Sequence, residues 1–85
     1  MIYVDEIRDY STGSWAHMWS ADGDIEALHR FAAKIGLKRA WLHESHGIIG
    51  DFPHYDLTPG RQLVALQMGA KFMPLKQWIM EQTGK

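Results

Sequence analysis

Eighty-five residues, 46% of them hydrophobic, make one domain with a small core and little stability to spare. A formal net charge of −1 gives no electrostatic pull toward nucleic acid or a membrane surface. With no cysteine, neither a disulfide nor a thiolate metal site can staple the chain.

The first residues, Met1-Ile2-Tyr3-Val4-Asp5, form a short apolar run of β-formers ending at a carboxylate, and read as a buried strand. They lack the basic-then-apolar pattern of a signal peptide, and no later run approaches the ~20 apolar residues of a membrane span. The expected location is therefore the cytoplasm. Residues 6–14 read as a loop. Trp15-Ala16-His17-Met18-Trp19 alternates, which puts Trp15, His17 and Trp19 on one face of a second strand. Ser20, Asp22 and Asp24 announce a helix. Ile25, Leu28, Phe31, Ala32 and Ile35 follow helical spacing, and Gly36 is a natural stop, so the spacing predicts a helix from about Asp24 to Ile35.

Arg39-Ala40-Trp41-Leu42-His43 reads as a third strand, followed by a loop over residues 44–53. Thr58 is a good N-cap and Pro59 a favoured first residue, which predicts a second helix from Pro59 to about Met68, stopped by Gly69. Ala70-Lys71-Phe72-Met73 reads as a fourth strand, and Pro74 opens a last helix. The order β-β-α-β-α-β-α implies a small single α/β domain over residues 1–85, with three helices and a mainly parallel four-stranded sheet. Its expected core holds Val4, Leu28, Phe31, Trp41, Leu42, Leu63, Leu66 and Trp78.

Chemistry concentrates at His54-Tyr55-Asp56, directly before the Thr58-Pro59-Gly60-Arg61 helix start. A helix N-terminus offers free N–H donors, Arg61 offers a bidentate fork, and His54 can move a proton or bind a metal. The plainer reading is that Asp56 neutralises Arg61, Thr58 only caps and Tyr55 is core. Asp5, His17, His43 and His46 form a looser set of strand-borne imidazoles and a carboxylate, of the kind a divalent-metal site uses. No compact His-Glu-x-x-His signature accompanies them. Arg30, Lys34, Lys38 and Arg39 suit a solvated helix end. Gly47-Ile48-Ile49-Gly50 is neither a phosphate-binding loop nor a dinucleotide fingerprint; it suits a mobile lid or a partner contact, and equally a buried loop anchor.

The chain resembles a small bacterial and phage family known as domain of unknown function 4031. The matching pieces are Met1 to Asp5, Trp15-Ala16-His17-Met18 with Ser20 and Asp22, Glu26-Ala27-Leu28-His29 with Phe31-Ala32, Gly36-Leu37, Pro53-His54-Tyr55-Asp56-Leu57-Thr58-Pro59 with Arg61, and Gly69-Ala70. The resemblance brings no established activity, substrate or cofactor, and implies a bacterial or phage source, with the host cytoplasm as location for a phage protein.

Two functions follow as expectations. The first is a small phosphate- or nucleotide-binding protein, extending to a metal-assisted phosphohydrolase. In it His54 is the acid/base or metal ligand, Asp56 orients it, and His17 and Asp5 complete the site from the sheet. His43 stands at the same edge, and Thr58 with Arg61 holds the anion. The second is a non-enzymatic interaction module, such as a phage protein that blocks a host factor through exposed aromatics and Ile48-Ile49.

Overall fold

The computed structural model describes residues 1–44 and 53–83. The expectations placed on His46 and on Gly47-Ile48-Ile49-Gly50 lie outside the described residues. In chain order the elements are β1 (Ile2–Val4), β2 (Arg8–Tyr10), β3 (Gly13–Ser20), α1 (Ile25–Lys34), a 3-10 turn at Arg39–Trp41, β4 (His43–Glu44), β5 (Pro53–Leu57), α2 (Pro59–Gln67), β6 (Lys71–Phe72) and α3 (Leu75–Thr83). Among the described residues no helix is long and apolar enough to cross a membrane.

This is a compact α/β domain, but its sheet is mixed rather than mainly parallel. The strands lie in the order β4-β5-β3-β1-β6, with β2 pairing β3 off that path. Among the described residues only β1 and β6 run parallel; the other paired strands are antiparallel. The expectation fails because a stretch that reads as a loop, and another that lies outside every expected element, are strands. Arg8–Tyr10 turns back through Ser11 and Thr12 to form a hairpin with β3. Pro53–Leu57 lies along the other side of β3, with Tyr55 and Leu57 buried and His54 and Asp56 on the alternate face. Conversely, Arg39–Trp41 is a 3-10 turn, and the strand beyond it shrinks to His43–Glu44.

The register along β3 contains a bulge. Val4 pairs with Met18, whereas Arg8 pairs with Trp15. Asp5, Glu6 and Ile7 therefore face only Ala16 and His17, one residue too many for a regular ladder. The Asp5 N–H still donates to the His17 carbonyl at 3.1 Å. The Asp5 carbonyl has turned away and accepts the Gln62 side-chain amide at 2.8 Å. Beyond the bulge, Ile7 packs against the main core.

That core lies between one face of the sheet and helices α1 and α2. Val4, Ala16, Met18, Tyr55 and Leu57 come from the strands, Leu28, Ala32, Ile35 and Ala65 from the helical side. Asp24 caps α1 by accepting the Ala27 N–H, and Thr58 caps α2 by accepting the Arg61 N–H. On the opposite face α3 covers only part of the sheet, where Trp19, Trp78 and Met73 cluster with Tyr3. Of the expected core, Val4, Leu28 and Trp78 are buried and Phe31, Leu42 and Leu66 partly so. Trp41 and Leu63 are corrections, at 49% and 58% exposed. Trp41 sits on the 3-10 turn rather than in a strand, and Leu63 falls on the side of α2 away from the sheet.

Candidate functional site

The half of the second sheet face that α3 leaves uncovered carries a histidine–carboxylate cluster. Its geometry follows from strand pairing. His17 on β3 lies opposite Asp56 on β5, and His43 on β4 opposite His54 on β5. His54 and Asp56 are two apart on one strand and so share a face. The imidazole of His54 meets that of His17 edge-on at 5.1 Å between centroids, and stacks on His43 at 5.5 Å. Asp56 lies between two of the rings: one carboxylate oxygen is 3.2 Å from His43 Nε2, the other 3.6 Å from His54 Nε2.

Asp5 completes the group from the bulge. It is fully buried, and its two carboxylate oxygens take two hydrogen bonds from one residue: the His17 backbone N–H at 2.5 Å and His17 Nδ1 at 2.7 Å. A carboxylate only accepts, so Nδ1 carries the proton and Nε2 is the ring nitrogen left for another partner. Burial disfavours the imidazolium of His17, but the hydrogen bond and charge of Asp5, with Asp56 beyond, outweigh it and raise its pKa. The arrangement matches a carboxylate–histidine pair that fixes the tautomer of a metal ligand.

His17, His54 and Asp56 each offer a ligand atom, all within 4.8 Å of one another. Ligand atoms around a tetrahedral zinc stand about 3.3 Å apart, so the set needs its separations shortened by up to about 1.5 Å to close on an ion. Two imidazoles and a carboxylate leave coordination positions open, as catalytic rather than structural sites do. Asp56 and His43 also border a groove of about 620 Å³, lined as well by Trp15, Trp41, Thr58 and Arg61.

Sequence reasoning placed Asp5, His17, His43, His54 and Asp56 together, and they do lie together. They lie on a face of the antiparallel part of the sheet, however, not beyond the carboxyl ends of parallel strands. Arg61 lines the same groove as Asp56 and Thr58, but its guanidinium is also engaged within the protein. Its guanidinium donates to the backbone carbonyl of Ile35, closing the C-terminal end of α1, where a cation suits the helix dipole. Asp56 is thus partnered by histidines rather than by Arg61. Tyr55 is core, and its hydroxyl meets His29 Nδ1 at 2.6 Å, tying β5 to α1. Arg39 forms a two-pronged surface pair with Glu26, and Lys38 stands over the Trp41 ring at 5.7 Å.

Gln62, which holds the Asp5 carbonyl, had no signal in the sequence, since its role exists only because a distant strand bulges. Trp15 could have been found: its alternation with His17 already put it on the site's face.

No curated protein and no solved structure matches the chain. A family model does, described as protein of unknown function (DUF4031), and its match runs over residues 2–83. That span takes in every strand, every helix and every residue of the histidine–carboxylate cluster, and the chain belongs to this family.

Proposed function

We propose that the protein is a metal-assisted phosphohydrolase acting on a small phosphate ester or nucleotide. The observation that carries this reading is the convergence of His17, His54 and Asp56, with His17 held in one tautomer by buried Asp5. A divalent cation held there would polarise a phosphoryl oxygen and lower the pKa of a water. In the hydrolysis, the water oxygen bonds to phosphorus as the ester P–O bond breaks; the water loses one proton and the departing oxygen gains one. His43, exposed and with its Nε2 3.2 Å from an Asp56 carboxylate oxygen, stands where it can pass that proton. The N-terminus of α2, with its Thr58 cap, adds a positive dipole end beside Asp56.

The test is metal analysis followed by turnover. Protein stripped with chelator and dialysed against Zn²⁺ or Mn²⁺ should retain one equivalent. His17→Ala, His54→Ala and Asp56→Ala should each abolish retention while keeping the fold. The reloaded wild type should release phosphate from a phosphomonoester panel, and the variants should not. Failure of every divalent ion to bind overturns the reading.

A second reading, a protein-interaction module, is favoured by one observation. The outer side of α2 exposes Leu63, Val64 and Met68 at 58%, 38% and 52%. Wild-type metal retention with phosphate release decides for the first reading.

A further inference from the structure

The groove beside the cluster changes character along its length. Asp56 and His43, with Thr58 and Arg61, form its polar part; Trp15, Leu37, Ala40, Trp41 and Leu42 form its apolar part. Its volume of about 620 Å³ is that of a small-molecule pocket. Two indoles line it. Trp15 is fixed by its ring N–H, which donates to the Thr12 hydroxyl at 3.3 Å. Trp41 is held on a short 3-10 turn with half its surface in solvent and the Lys38 ammonium over its ring. An indole left half bare at a groove mouth is a stacking platform for a planar ring, because every nucleobase presents a π-face.

We propose that this groove takes the base of a nucleoside monophosphate, stacked on Trp41 and bordered by Trp15, with the phosphate toward His17, His54 and Asp56. The phosphate end rests on the metal-assisted reading above. The base end rests on the indoles alone, so the two can fail separately. The distribution of chemistry favours this ligand class over a wholly apolar one, which would desolvate Asp56 and His43 without pairing them. It also favours it over a bare phosphosugar, which would leave both indoles unused.

Calorimetric titration with adenosine 5′-monophosphate, cytidine 5′-monophosphate and ribose 5-phosphate, in the presence of Mn²⁺, tests the proposal. At least one nucleotide should bind about tenfold or more tighter than ribose 5-phosphate, the worth of one base–aromatic stack. Trp41→Ala should erase that preference and Trp41→Phe should keep most of it, with Mn²⁺ affinity unchanged in both. Adenosine and cytidine, titrated without metal, isolate the base end: at least one should bind the wild type and be weakened about tenfold by Trp41→Ala. If Mn²⁺ does not bind but a nucleoside does, and Trp41→Ala weakens it, the base pocket stands and the phosphohydrolase reading falls. If ribose 5-phosphate binds as tightly as both nucleotides, if Trp41→Ala preserves the preference, or if no nucleoside or nucleotide binds, the base pocket is overturned.

Discussion

Replacing Asp5 by Asn keeps the shape of a fully buried side chain but changes what it can accept. Asp5 takes two hydrogen bonds from His17, at 2.5 Å from the backbone N–H and 2.7 Å from Nδ1. An amide has one acceptor oxygen and one donor nitrogen. If its oxygen keeps the backbone N–H, its NH₂ faces Nδ1, and His17 must move its proton to Nε2. If the amide turns over, the backbone N–H faces a donor and loses its acceptor. The first outcome trades a charge-assisted bond for a neutral one; the second leaves a buried donor unpaired. Either costs ~1–3 kcal/mol. The first also blocks the nitrogen that would meet a metal, so affinity should fall by about 10- to 100-fold, the usual effect of losing an orienting carboxylate. Urea unfolding gives the stability change, imidazole ¹⁵N chemical shifts give the tautomer, and metal titration gives the affinity. An Asn variant with wild-type stability, an Nδ1-protonated His17 and wild-type metal affinity would refute the assigned role of Asp5.

Leu28→Ala should cost ~2–5 kcal/mol, because Leu28 is wholly buried between α1 and the sheet, and Leu66→Ala less, because Leu66 is only partly covered; equal costs in urea unfolding would contradict this packing. Gly36→Ala should be worse than Gly23→Ala. Both sit at positive φ, +85° and +76°, which costs a side chain ~1–2 kcal/mol, but only at Gly36 would the added Cβ run into the Arg61 guanidinium. Comparing the two variants by chemical denaturation isolates that clash. Glu6 accepts the Leu75 N–H at 3.1 Å at the start of α3. Burial pushes its carboxyl up, but the Leu75 N–H and the Arg8 charge outweigh burial and hold it below the ordinary 4.5. A lowered folded value means this contribution is present above pH 4.5 and is lost as pH falls through the folded value. Thermal melts from about pH 6 to about pH 3 should therefore show wild type losing more stability than Glu6→Gln.

Local signals in the sequence carried the three helices well, because caps and stops are written within a few residues. Asp24 and Thr58 cap, and Gly36 and Gly69 follow the ends, so both predicted helix spans agree with α1 and α2 within a residue or so. Strands were less legible. Pro53–Leu57 is only five residues long, opens with proline, and alternates His, Tyr, Asp, Leu; its polar positions made it resemble a loop. Sheet direction was lost with it, since each unseen strand reverses the inferred path. The histidine–carboxylate cluster was partly visible because His54 and Asp56 are two apart and His17 alternates with Trp15 and Trp19. What joins Asp5 to His17 is a strand pairing across twelve residues, and what diverts Arg61 to Ile35 spans twenty-six. Neither distance leaves a trace in a local pattern.

The extra residue between Val4 and Arg8 gives chain length a role of its own. Deleting one of Glu6 or Ile7 would leave two residues facing Ala16 and His17, the count of a regular ladder, so Val4 would keep Met18 and Arg8 would keep Trp15. The strand would straighten rather than slip. What the surplus residue supplies is a change of direction: it frees the Asp5 carbonyl for the Gln62 amide, sends the Glu6 carboxylate to the Leu75 N–H, and brings Ile7 onto the core. A deletion here would therefore spare the sheet and loosen its fastenings to α2 and α3.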